Sequence, residues 1–186
     1  MQQGNLLALP RTGWETKYLE NTSLRRLVLE HYDREHAAMR RYLSFLSVNP
    51  ETAQEIVQES FLKLHEHLLG NGDRTNLRAW LYRVAHNLAR NAQKASHSTK
   101  TDTLPSLGAA DFPVASTPSP EQELLAQERM ARLRRSMGEL SAAQKQCLVM
   151  RAEGLKYREI AEVLNVSVST VGENVQRGLE RLKEMV

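Results

Sequence analysis

The chain has 186 residues, 25 Lys and Arg against 22 Asp and Glu, and a single cysteine, which leaves room for one ordinary domain or two small ones. Cys147 alone can form neither an internal disulfide nor a thiolate metal cage. The longest apolar run near the start, Leu6 to Leu9, is too short for a signal peptide or a membrane span. Fibrous, disulfide-stapled, secreted and membrane-inserted classes are therefore set aside, and a cytoplasmic protein is expected.

The net charge of +3 is too small to argue for nucleic acid by itself, so its distribution matters. The excess is 0 over residues 1–23, +3 over 24–95, −2 over 96–122 and +2 over 123–186. Two mildly basic blocks thus flank an acidic, charge-poor connector. Residues 96–120 hold thirteen Ser, Thr or Pro and four of the six prolines of the chain. That composition cannot offset its own ordering entropy and predicts a flexible linker over 96–122.

The first basic block predicts helices throughout. Leu24, Leu27, Val28 and Tyr32 open one that continues through Met39, Leu43 and Leu46. Asn49 before Pro50 is a cap followed by proline at the first helical position, and Val57, Phe61, Leu64 and Leu68 form a stripe ended by Gly70 and Gly72. A third helix, capped by Asn76, carries Leu77, Trp80, Leu81, Val84 and Leu88 on its predicted apolar face. A second face of that helix lines up Arg83, Asn87, Arg90, Asn91 and Lys94, offering phosphate neutralisation and amide hydrogen bonding along one line.

In the second block, residues 121–138 predict one helix, and Ser141 with Gln144 predicts a capping box at the start of another, which Gly154 stops. Two short helices follow, Lys156 to Leu164 and Val168 to Glu184. The first is expected to bury Tyr157, Ile160, Ala161 and Leu164, the second Val168, Val171, Val175, Leu179 and Leu182. Asn165 suits a left-handed turn position and Ser167 an N-cap, so the pair is a helix-turn-helix. Its second helix exposes Ser169, Thr170, Glu173, Asn174, Gln176, Arg177 and Arg181 toward a major groove. No segment alternates with period two, so the expected fold is all-α: two small helical domains joined by a flexible linker, the C-terminal one a helix-turn-helix.

These tracts resemble the bacterial sigma factors of the extracytoplasmic-function type, in their two-domain form. EGLKYREIAEVLNVSVSTV resembles their region 4, AQEIVQESFLKLHEHL (53–68) resembles region 2.2, and NLRAWLYRVAHNLARNAQK (76–94) resembles regions 2.3 and 2.4. The resemblance divides the chain into an N-terminal extension (1–23), a region 2-like domain (24–95), the linker, and a region 4-like domain (123–186). It implies an alternative sigma factor whose partners are core RNA polymerase, met at the clamp helices of the largest subunit and at the flap, promoter DNA, and an anti-sigma protein.

The resemblance also implies site residues. Glu55, Gln58, Glu59 and Lys63 would dock on the polymerase. Asn71, Asp73, Arg74 and Asn76 in the loop GNGDRTN, with Tyr82, Arg83, Asn87, Arg90, Asn91 and Lys94, would melt and read the minus-ten element. Trp80 is assigned to the core, which leaves Tyr82 as the more exposed candidate for stacking on an unstacked base. Lys156 and the exposed residues of the last helix would meet the minus-thirty-five element. Lys156 stands where Ser or Thr is usual, and Gly172, Glu173 and Asn174 stand where basic residues are common, so this domain alone is expected to bind DNA weakly. A linker of twenty-five residues reaches at most about 80 Å, against about 70 Å between sites two helical turns apart.

The histidines do not share a helix face and no phosphate loop or nucleophile-and-base pattern occurs, so no enzyme, metal or cofactor is expected. A stand-alone helix-turn-helix regulator that binds operators without polymerase is the alternative. It gives no reason for a glycine-polar loop followed by a basic Asn/Arg stripe.

Overall fold

The computed structural model describes residues 13–98, 125, 128, 131–133 and 135–185. Most of the predicted linker and residues 1–12 lie outside the described residues. Helix α1 spans Gly13–Phe45, α2 Pro50–Leu69, α3 Leu77–Ser98, α4 Ala142–Ala152, α5 Tyr157–Leu164 and α6 Val168–Met185. The described residues between 125 and 138 are helical as well, and no strand occurs among the described residues. Helix α1 starts well inside the stretch set apart as an extension, and α3 continues to Ser98, into the stretch assigned to the linker.

Local signals start and stop these helices as anticipated. Asn49 accepts a hydrogen bond from the Thr52 amide at 2.8 Å, with Pro50 in the first turn. Ser141 and Gln144 exchange both bonds of a capping box. Asn76 accepts from the Ala79 amide at 3.4 Å, Gly154 ends its segment at φ +89°, and Asn165 sits in the left-handed region at φ 54°, ψ 50°. Lys156 has no capping side chain, and the Glu159 carboxylate instead accepts its amide at 2.6 Å. Ser167 accepts from the Thr170 amide at 3.0 Å and so starts α6.

Helices α1, α2 and α3 pack on one another around Met39, Tyr42, Leu43, Leu64, Leu68 and Leu81, all of them buried. The α2 stripe Val57, Phe61, Leu64 and Leu68 is buried as its spacing demanded. At the far end Gln93 donates to the Leu46 carbonyl at 2.5 Å, tying α3 to the end of α1.

Three predicted faces are corrected. In α3 the buried line is Leu77, Leu81, Tyr82, Ala85 and Ala89, while Trp80, Val84 and Leu88 are only half-buried. Small alanines let α3 approach α1 and α2 closely, which turns the helix so that Tyr82 enters the core. In α6 the line is Val171, Val175, Gly178 and Leu182, while Val168 and Leu179 are exposed. Gly178 belongs to the packed face because α4 comes so near there that a Cβ would stand 2.7 Å from Leu148 Cδ1. In α5, Val163 joins Ile160 and Ala161 in the core, whereas Tyr157 is exposed and Leu164 half-buried.

Candidate nucleic-acid interface

The basic line on α3 is intact in three dimensions. Arg83, Asn87, Arg90, Asn91 and Lys94 are all exposed, because the residues between them at i+3 and i+4 spacing face the core. Behind this line His86 is buried, its Nδ1 2.7 Å from the Tyr42 hydroxyl. Burial, and then the neighbouring Arg90 charge, hold the His86 imidazole below its ordinary value, so it is neutral at physiological pH.

Tyr82 is not part of this surface. It is fully buried, with its ring 5.7 Å from that of Tyr42 and its hydroxyl without a hydrogen-bond partner, so the stacking role assigned to it is withdrawn. Burial pushes its hydroxyl far above the usual tyrosine range. Trp80, assigned to the core, is half-buried and packs against the core, and its ring also stacks on His67, with ring centroids 4.7 Å apart and planes at 26°.

The stack organises the loop before α3. His67 Nε2 donates to the Asp73 carbonyl at 3.0 Å, and the Gly72 amide donates to the His67 carbonyl at 2.8 Å. A Cβ at Gly72 would stand 2.2–2.4 Å from three atoms of the His67 ring, so any side chain there would have to push the ring away. Asp73 accepts from the Thr75 amide and hydroxyl at 2.9 and 2.7 Å, and these bonds hold its carboxyl below the usual range. Asn71 takes a left-handed φ of 56°. With Arg74 it lines a recess of about 360 Å³ whose other walls are Asn21, Ser23, Leu24, Leu68 and Leu69. Asn71, Asp73 and Arg74 are exposed, whereas Asn76 is half-buried and donates to Glu162 at 3.0 Å.

On α2, Glu55, Gln58 and Glu59 are exposed and Lys63 is half-buried, paired with Glu59 at 3.0 Å. Leu62 stands among them 61% exposed, and Leu69 follows two turns on at 49%. Sequence reasoning missed both leucines, although a leucine on an otherwise polar helix face was the available signal.

Of the predicted α6 residues, Ser169, Glu173, Gln176, Arg177 and Arg181 are exposed, whereas Thr170 and Asn174, expected to be exposed, are half-buried. Arg177 pairs with Glu173 at 3.4 Å, and Gln176 donates to Glu180 at 3.0 Å. Ser169 bonds the Ser167 hydroxyl at 2.7 Å, and Asn174 folds back to donate to the Thr170 carbonyl at 2.9 Å. Arg181 and Lys156 extend into solvent. Gly172 faces Tyr157 with room for a Cβ, so it marks no close approach within this chain. Among the described residues no cluster could hold a metal ion and no helix is long and apolar enough to cross a membrane.

Two family models match the chain, sigma-70 region 2 over residues 27–98 and sigma-70 region 4 over residues 130–182. The chain is 31% identical over 140 residues to the RNA polymerase sigma-H factor of Pseudomonas aeruginosa, which covers 71% of this chain and 72% of that one. It is 27% identical over 138 residues to the ECF RNA polymerase sigma-E factor of Haemophilus influenzae, covering 71% and 73%. Its fold is similar to that of the sigma factor RpoE of Bartonella quintana, crystallised with the anti-sigma factor NepR. The TM-score is 0.61 at 20% identity, over 87% of this chain and 96% of that one.

Proposed function

The chain belongs to the sigma-70 family of RNA polymerase sigma factors, in the extracytoplasmic-function form, and we propose how its surfaces divide the work of promoter recognition and opening. The exposed face of α2 docks on the clamp helices of the largest polymerase subunit. Leu62 supplies an apolar anchor there, and Glu55, Gln58, Glu59 and Lys63 form its polar rim. The C-terminal helices occupy the flap and bring α6 to the minus-thirty-five element.

The minus-ten element lies along α3. Arg83, Arg90 and Lys94 neutralise phosphates while Asn87 and Asn91 bond base edges or sugar. The recess beside Asn71 and Arg74 receives an extruded base, with hydrogen bonds from the loop offsetting part of the lost stacking. Lys156, Ser169, Thr170, Glu173, Asn174, Gln176, Arg177 and Arg181 are the minus-thirty-five set. Their own hydrogen bonds along α6 must open for base contacts to form, which keeps this element a weak binder by itself.

The observation that carries this reading is the unbroken exposed line from Arg83 to Lys94 adjoining a glycine-polar loop; a stand-alone regulator has no use for it. The role is regulatory rather than enzymatic and is carried out in the cytoplasm, under the control of an anti-sigma partner. Run-off transcription with core polymerase on a promoter library tests the reading. Initiation from a subset of promoters is expected, lost when Arg90 and Lys94 are both changed to Ala. Sequence-specific DNA binding without any polymerase binding would put the stand-alone regulator in its place.

A further inference from the structure

Val168 opens α6 and by its spacing belongs to the apolar face, yet it is 45% exposed, and Val166 in the turn before it is 41% exposed. Neither joins the core around Ile160, Val171 and Val175. The turn that carries them is fixed. Asn165 holds its left-handed φ of 54°, the Val166 amide donates to the Ala161 carbonyl at 3.1 Å, and the Val171 amide donates to the Ser167 carbonyl at 3.1 Å. Backbone hydrogen bonds therefore hold both valines at the N-terminal tip of α6, where packing takes up only part of each.

The polar groups around them are already engaged. The Ser167 hydroxyl bonds those of Ser169 and Thr170, each at 2.7 Å, and accepts from the Thr170 amide at 3.0 Å. Asn174 is turned back to the Thr170 carbonyl, Arg177 is paired with Glu173, and Gln176 donates to Glu180. Among these neighbours the two valines are the side chains with no hydrogen bond to give up. The N-terminal residues of the second helix are the ones that reach base edges in a major groove. Of the groups that base pairs display there, the 5-methyl of thymine is the apolar one.

We propose that Val168, with Val166 beside it, reads thymine in the minus-thirty-five element by van der Waals contact with the 5-methyl group, a specificity contact that rests on the promoter reading above and adds a residue to it. The contact selects A·T over G·C at its position. It also selects one orientation of the pair, because the methyl belongs to one strand. No phosphate is neutralised and no counterion released, so its share of the affinity does not depend on salt.

The test uses holoenzyme assembled from core polymerase and the full-length chain, on a promoter selected from the run-off library. Each thymine of the minus-thirty-five element, on either strand, is replaced in turn by deoxyuridine, which removes the 5-methyl group and keeps the base pairing. Wild-type holoenzyme is expected to lose affinity about fourfold at one or more of these positions, the factor that burial of one methyl group is worth, with the slope of log affinity against log salt unchanged. Val168→Ala should bind the thymine promoter about as weakly as the wild type binds the deoxyuridine one, and should no longer distinguish the two. Because the deoxyuridine series uses unaltered protein, it tests the contact independently of any effect of the substitution on folding. A wild type indifferent to deoxyuridine at every position overturns the proposal, as does an element with no selected A·T pair, or a Val168→Ala that keeps the full discrimination. Weaker assembly of Val168→Ala with core polymerase in the absence of DNA, at unchanged thymine discrimination, would put a protein on the valines instead. Absence of initiation from any promoter is a failure of the promoter reading itself, whereas initiation that ignores the methyl is a failure of this inference alone.

Discussion

Replacing Gly72 by alanine isolates the part of the molecule that shapes the loop before α3. Gly72 has no positive φ, so alanine meets no backbone penalty, and a shorter list of unfolded conformations would by itself favour the variant slightly. The cost is steric: the added methyl occupies the space of the His67 ring, which must swing away from Trp80. That movement gives up a stacked pair worth roughly 0.5–1.5 kcal/mol and a His67–Asp73 hydrogen bond worth about 0.5–1.5 kcal/mol. The expected loss is about 1–3 kcal/mol, seen as a fall in melting temperature of roughly 5–15 °C for the α1–α3 unit.

The control is a double-mutant cycle read by thermal unfolding. His67→Ala already lacks both interactions, so adding Gly72→Ala to it should cost nothing or stabilise by a few tenths of a kcal/mol. If Gly72→Ala destabilised the protein equally with and without the His67 ring, the steric account would be wrong. So would a neutral Gly72→Ala in the wild-type background. A promoter-opening assay on the same variants should show impaired melting in both single variants, since each releases the Asp73 carbonyl that fixes the loop.

Three other outcomes are expected. Leu62→Lys should weaken binding to core polymerase at least about tenfold, as loss of a buried anchor does, while leaving the melting temperature unchanged, because the side chain is 61% exposed in the free protein. Lys94→Ala should lower promoter affinity and reduce the slope of log affinity against log salt by about one, the signature of a single phosphate contact. Stability should fall on acidification. The folded-state value of His86 is depressed by burial and then by Arg90, and that of His31 by burial and then by Arg34. The unfolded chain therefore takes up protons first, and the stability fully present above about pH 6.5 is lost as pH drops through the folded-state values. Urea unfolding between pH 7.5 and 5 reads this, and a flat profile would refute it; His86→Gln should flatten it in part.

What was legible in the sequence, and what was not, follows the range of the forces involved. Asn49, Ser141, Asn165 and Ser167 act on amides or dihedrals within a few residues, so their caps and turns could be named from the chain alone. The exposed line Arg83–Lys94 was legible too, because a repeat of 3.6 residues places it opposite the core whatever packs behind. Faces set by an approaching neighbour were not. Gly178 carries no hydrophobicity, yet it is the contact point with Leu148 on α4, and with Ala85 and Ala89 on the buried line of α3 it is Tyr82 that is fully buried and Trp80 that is only half-buried. Pairs such as Arg41 with Glu153 join distant parts of the chain, and no local pattern announces them.

The charged pairs fall into two classes, and the division fits what each surface has to do. Glu59–Lys63 and Glu173–Arg177 are exposed pairs four residues apart on one helix. Such pairs stabilise by only a few tenths of a kcal/mol in water, so a polymerase contact or a phosphate displaces them at little cost. Arg41–Glu153 and Arg78–Glu35 are largely shielded, bridge different helices and hold further hydrogen bonds. Removing one partner of such a pair leaves a poorly solvated charge; Arg78–Glu35 lies within the α1–α3 half, whereas Arg41–Glu153 joins α1 to the end of α4. The surfaces proposed to meet other molecules thus carry charges that are cheap to redirect, whereas the contact between the halves carries a charge pair that resists the loss of either partner.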